Sequence, residues 1–188
     1  MSESRCTNFP YLDANEFARA CESFLLILHK SHVTSKLIRS DGEIKGIEIT
    51  LIRCLENKEV VLIKAHLVLS PVYSLPTLYF TATLSTAAGQ DRPITLVEDV
   101  FKYVIVDPLQ SASLQVSSVY GHAAISQGEH PLYNRLLSFY VHPCRTGEVM
   151  SVIDQDSKVT IETYMTIWGG LVGPVIGLAI NGDSIINS

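Results

Sequence analysis

Four apolar runs between residues 35 and 85, separated by short polar breaks, restrict the fold more than any other part of the chain. "SKLI" leads to Asp41-Gly42, a two-residue hairpin signal, and "IKGIEITLIRCL" follows it. "ENK" at 56 to 58 separates that run from "EVVLIKAHLVLS", and "PVYSLP" separates the third from "TLYFTATLS". Ile47, Ile49 and Leu51 alternate with Glu48 and Thr50, the period of a half-buried strand. Connections this short leave no room for crossover helices, so the spacing predicts an antiparallel meander.

Helical patterns flank the meander. Phe17, Cys21, Phe24, Leu25 and Leu28 recur at three- and four-residue intervals, and Asp13 and Glu16 have capping-box spacing, predicting a helix over 13 to 30. After a loop at "GQDRP", Thr95 and Glu98 repeat that spacing and predict a helix to about Tyr103. "SLQVSSVYGHAAIS" contains a possible strand, exposed for pairing with a partner sheet, and "QGEHPLYN" reads as a loop. "RLLSFYV" is a strand that delivers His142-Pro143-Cys144, "TGEVMSVI" starts a helix, and "VTIETYMTIWGG" is the last helix. The order is α+β, expected to form a single domain over 1 to 188 with its core at roughly 13 to 180.

Composition narrows the function classes. With 47% hydrophobic and 18% charged residues the chain can build a core, and its net charge of −5 without any Lys/Arg run argues against nucleic acid. The start "MSESRCTNFPYLDANEF" has no apolar leader, so reduced cysteines and a cytoplasmic setting are expected. Thr163 to Gly182 is uncharged, and Gly169, Gly173 and Gly177 repeat as G-x-x-x-G, a packing motif of membrane helices. The glycines and Pro174 weaken a helix there, which favours a buried helix end and glycine-rich loop over a membrane anchor.

Cys6, Cys21, Cys54 and Cys144 show no repeated spacing. Cys21 falls on the apolar helical stripe and Cys54 at a strand end, where packing is the expected role. His29 and His32 form H-x-x-H without further ligands and are read as helix-end polar residues. Cys144 differs, because Pro-Cys-Arg after a strand places the thiol at a loop edge. A zinc site lacks a second ligand pair. A cysteine hydrolase needs a nearby base, for which His66, His122 or His130 would have to fold close. A carrier thiol needs less: a cysteine, an open approach for an amine and some oxyanion support. The residues alone leave these alternatives open.

"PVYSLPTLYF" resembles the Tyr-Pro-Phe-x-Pro-Pro-x-x-x-Phe stretch of ubiquitin-conjugating enzymes, with Tyr73, Pro76 and Phe80 in matching places. "EHPLYNRLLSFYVHPCRTGEVM" and "WGGLVGPVIGL" resemble the autophagy conjugating enzymes, whose catalytic cysteine lies in His-Pro-Cys; the resemblance covers residues 48 to 178. It implies a ubiquitin-conjugating-enzyme-like fold in which Cys144 forms the thioester, His142 and Pro143 shape its loop and Tyr73 lines the active-site side. The His-Pro-Asn of ubiquitin-conjugating enzymes has its counterpart at His130-Pro131-Leu132, with leucine where the oxyanion asparagine stands and Asn134 as candidate substitute. The implied partners are an activating enzyme (autophagy-related protein 7), a modifier (autophagy-related protein 12) and an acceptor (autophagy-related protein 5). No metal or organic cofactor is implied, and the implied setting is the cytoplasm, including the autophagosome assembly site. A competing reading is an inactive scaffold of the same fold.

Overall fold

A computed structural model describes residues 4 to 86, 88 to 105, 125 to 143, 146 to 153 and 159 to 180. Among them, α1 (Ala14–Lys30) precedes the meander β1 (Thr34–Ser40), β2 (Glu43–Cys54), β3 (Val60–Leu69) and β4 (Pro76–Ser85). Next come β5 (Asp91–Ile94), α2 (Val97–Tyr103), β6 (Ile125–Glu129) and β7 (Leu137–Val141). Helices α3 (Thr146–Ile153) and α4 (Ile161–Val172) follow, with a 3₁₀ turn at Gly173–Ile176. The pairs are antiparallel, in the order β1-β2-β3-β4-β7-β6. β5 and β7 share one edge of β4: β5 takes the Ala82–Ser85 half and β7 the Tyr79–Phe80 part.

Local chemistry starts α1 as expected. The Asp13 carboxylate accepts from the Asn15 and Glu16 amides, and Glu16 returns the bond to the Asp13 amide, a closed capping box. The first hairpin turns on Asp41 (φ 52°) and Gly42 (φ 82°), the two positive φ values of a type I′ turn. Strand alternation then sorts the sheet into two faces. On one face Ile49, Ala65, Phe80 and Phe139 form a cross-strand row, beside the row Ile47, Leu67 and Leu78. All seven are buried under Phe17, Phe24 and Leu28 of α1 and Tyr164, Met165 and Trp168 of α4.

Cys21 is fully buried on α1, and burial pushes its thiol well above the usual range. The expected packing role of Cys54 does not hold: it is exposed. The alternation explains this, since Cys54 shares parity with Glu48, Thr50 and Ile52 on the face away from the helices. "GQDRP" is not wholly a loop, because Asp91–Ile94 pairs with β4, and Pro93 is tolerated there on a short edge strand. Gln127, Gly128 and Glu129 are strand rather than loop. Helix α2 starts one residue later than expected, with Leu96 at its N-cap and no side-chain cap bond, so the Thr95–Glu98 box is not formed. The strand expected in "SLQVSSVYGHAAIS" lies mostly outside the described residues, as does His122; only Ile125 and Ser126 are described, in the edge strand β6.

The glycine repeat has a packing explanation. A Cβ on Gly169 would lie 2.7 Å from Phe24 Cζ, so α4 passes close to α1 there. Gly177 takes φ 78° to end the 3₁₀ turn. Among the described residues no helix is long and apolar enough to cross a membrane.

Candidate active site

Strand β7 ends at Val141, His142 follows half-buried and Pro143 is buried; Cys144 and Arg145 lie outside the described residues, and α3 starts at Thr146. Beside His142 stands the turn that leads into β4. Ser70 organises that turn: its amide donates to Leu75 O (2.9 Å), its carbonyl accepts from the Ser74 amide (2.8 Å) and its Oγ accepts from the Tyr73 amide (3.3 Å). Ser74 sits at φ 51°, a left-handed position. The turn presents Tyr73 edge-on to His142, ring centroids 5.5 Å apart, and leaves Tyr73 39% exposed. Tyr73 is therefore a rim residue, not a buried aromatic beneath the meander. Behind it, a Cβ on Gly147 would meet Leu75 Cδ1 at 3.2 Å, so the first turn of α3 rests on the base of the Tyr73 turn.

His130 and Asn134 lie elsewhere. They belong to the connection between β6 and β7, at the opposite end of β7 from His142. Leu137 to Val141 spans four residue steps, about 13 Å of extended chain. Asn134 is exposed and lines a shallow hollow of about 450 Å³ with Glu129, His130, Pro131 and Leu132. The structure thus brings the Tyr73 and His142 rings together, whereas His130 and Asn134 come from the β6–β7 connection.

What His130 does join is a polar row across the sheet's outer face: Lys36, Glu48, His66, Tyr79, Tyr140 and Ser126, in consecutive register. Lys36 Nζ is 3.1 Å from Glu48 Oε1, and Glu48 Oε2 is 3.7 Å from His66 Nε2. The connection folds His130 and Tyr133 over this row, with His130 edge-on to His66 at 4.8 Å and 5.2 Å from Tyr79. From Tyr79 the contacts continue through Tyr140 (5.4 Å) to His142 (6.3 Å). His130 Nδ1 accepts from the Leu132 amide at 3.1 Å, which fixes the tautomer with the proton on Nε2. Register assembles this row, and no short motif announces it. Among the described residues no group of three or more His, Cys, Asp or Glu could hold a metal ion. His29 Nε2 instead meets Ser35 O at 3.1 Å.

Burial, then the neighbouring His66, lowers the His130 pKa from 6.5 to about 4. The unfolded chain therefore binds the extra proton between about pH 4 and 6.5, and stability rises with pH through that window. The contribution is complete above pH 6.5 and lost as pH falls to 4, amounting to roughly 3 kcal/mol at about 1.4 kcal/mol per pK unit. Melting temperatures across pH 4 to 7.5 should show this slope. His130→Asn, whose Oδ1 can still accept from the Leu132 amide, should flatten it; equal slopes would show that His130 is not its source.

A meander with helices at both ends on one face, and a cysteine between its last strand and the next helix, is the ubiquitin-conjugating-enzyme arrangement. A crystal structure described as the autophagic E2 Atg10 shares the fold, with a TM-score of 0.59 at 18% identity, over 89% of this chain and 98% of that one. A solution structure of KmAtg10 gives 0.52 at 16%, over 89% and 96%. Residues 16–181 match the family described as autophagocytosis associated protein, active-site domain, and the chain belongs to that family. It is similar to the ubiquitin-like-conjugating enzyme ATG10 of Gibberella zeae, 33% identical over 131 residues, which are 70% of this chain and 51% of that protein. The Homo sapiens protein of the same name is 32% identical over 123 residues, 64% of this chain and 50% of that protein. The chain thus spans about half the length of these relatives.

Proposed function

We propose that this chain is a ubiquitin-like-conjugating enzyme of autophagy, with Cys144 as its carrier thiol. The observation that carries the reading is the pairing of Tyr73 with His142, two residues before Cys144, at the junction of β7 and α3. The Cys144 thiolate attacks the carbonyl of the modifier's C-terminal glycine, held as a thioester on the activating enzyme. A C–S bond forms, and the activating enzyme's cysteine leaves as thiolate. A lysine amine of the acceptor then attacks the new thioester, loses its proton and releases Cys144. Tyr73 and His142 bring a phenol and an imidazole to the side from which the amine arrives, where either can accept or orient its proton.

The motif likeness carries the finer assignment: autophagy-related protein 7 loads the enzyme, autophagy-related protein 12 is carried and autophagy-related protein 5 receives it, in the cytoplasm. The test combines the protein with that activating enzyme, ATP and modifier on non-reducing gels. A thiol-sensitive adduct is expected within minutes, and the conjugate should form when the acceptor is added. No adduct with any ubiquitin-like modifier would sink the proposal in favour of an inactive scaffold. Turnover of peptide esters in its place would indicate a cysteine hydrolase.

A further inference from the structure

We infer that the segment at 5 to 12 is a strap that fixes the Tyr73 turn against the start of α3, and that Tyr164, acting through Pro10, is a positioning residue for the transfer step; this rests on the reading of Cys144 above. The strap is held along its length. Ser4 O accepts from the Ile161 amide at 2.8 Å, and Arg5 forms a bridge with Thr160. The two carboxylate oxygens of buried Glu16 take the Thr7 amide (2.6 Å) and the Asp13 amide (3.1 Å). At the centre the fully buried Tyr164 of α4 donates its hydroxyl to Pro10 O at 2.6 Å, with the Phe9 ring edge-on to it at 5.9 Å.

Held in this way, the strap touches both the Tyr73 turn and the first turn of α3. The Leu12 amide donates to Ser74 O at 2.9 Å, fixing the residue beside Tyr73 in its left-handed conformation. Pro10 Cγ lies 3.8 Å from where a Cβ on Gly147 would stand, and Leu75 Cδ1 3.2 Å from the same point. Pro10, Leu75 and the third residue after the cysteine therefore pack at one spot. A bond from α4 to the Pro10 carbonyl sets where that spot lies, and with it the separation between Tyr73 and the β7–α3 junction. Attack by an amine on a bound carbonyl is sensitive to displacements of about 1 Å.

Tyr164→Phe keeps the buried ring and removes only the hydroxyl. Wild type and Tyr164→Phe are loaded with autophagy-related protein 12, then chased separately with free lysine and with hydroxylamine, a nucleophile that needs no deprotonation at neutral pH. Loading within about twofold of wild type, lysine discharge slowed about tenfold and unchanged hydroxylamine discharge are expected. Glu16→Gln, which loosens the strap at its other anchor, should shift lysine discharge in the same direction. Equal slowing of loading and both discharges, tracking a fall in melting temperature, would make Tyr164 merely structural and overturn the inference. Lysine discharge at the wild-type rate in both variants would also overturn it. Wild-type protein that never loads overturns the reading of Cys144, and this inference with it.

Discussion

Cys144→Ser is expected to trap the modifier as an adduct that survives reducing agent and to abolish conjugate formation, a fall of at least about 10³-fold in transfer. The reason lies in the leaving group. A thiol with pKa near 8.5 departs readily from a tetrahedral intermediate, whereas an alkoxide is far more basic and departs poorly. Serine can still be acylated by an activated thioester, so loading slows but produces a stable oxyester. Cys144→Ala forms no adduct. Single-turnover assays with pre-charged activating enzyme, read on reducing and non-reducing gels, separate these outcomes. Conjugate formed at the wild-type rate by Cys144→Ser would remove this residue from the mechanism. An adduct that persists in Cys144→Ala would point to another nucleophile, of which exposed Cys54 is the first to examine.

The second large effect concerns the scaffold. Phe24→Ala should destabilise the fold by about 4 kcal/mol, the cost of removing a buried aromatic and leaving a cavity. Phe24 is fully buried where α1 and α4 cross, and its ring lies against Gly169, whose Cβ, if present, would also meet Ile180 Cδ1 at 2.9 Å. The two backbones are already close, so the helices have little scope to close the gap. Denaturant unfolding should show a lower midpoint with an unchanged slope. Thermal unfolding should drop by roughly 12 °C in a chain of this size. A loss below about 1 kcal/mol would mean the crossing repacks freely, against the close approach at Gly169.

Interactions close in sequence were legible. Asp13 and Glu16 announced α1 because a capping box spans a single turn, and Asp41-Gly42 announced its hairpin because the required φ values belong to those two residues. Elements that depend on distant pairing were not. Asp91–Ile94 becomes a strand by pairing with Ser85 and its neighbours, and the Ser85 hydroxyl donates to Asp91 at 2.6 Å. Gly128 reads as a loop glycine, yet it is a strand residue whose missing side chain admits the Tyr140 ring, 3.3 Å from where a Cβ would be. Local spacing can also mislead: Thr95 and Glu98 have the right spacing for a cap, but Leu96 takes the extended N-cap conformation and the helix starts after it.

The same division runs through the site. Tyr73 and His142 stand out by motif, and the structure adds that their rings meet. The His66–His130 contact joins residues 64 positions apart. It follows from placing His66 and Tyr79 on one row of the sheet and from the connection folding over that row. Asn134 stands out by its position after His130-Pro131, and the structure places it, exposed, on the rim of the hollow beside that turn.

The β6–β7 hairpin is fastened unevenly. Five residue pairs join β6 to β7, whereas β7 meets β4 through Tyr79–Tyr140 and Phe80–Phe139. The hairpin is therefore a cantilever, stiff in itself and clamped along a short seam where the Phe80 and Phe139 rings stack at 5.6 Å. The overhanging end is the β6–β7 turn, and the clamp lies two residues before His142, so the β7–α3 junction is the fixed end of the lever. The Phe80–Phe139 half of the clamp lies in the apolar core, so buried aromatic rings hold that fixed end in place.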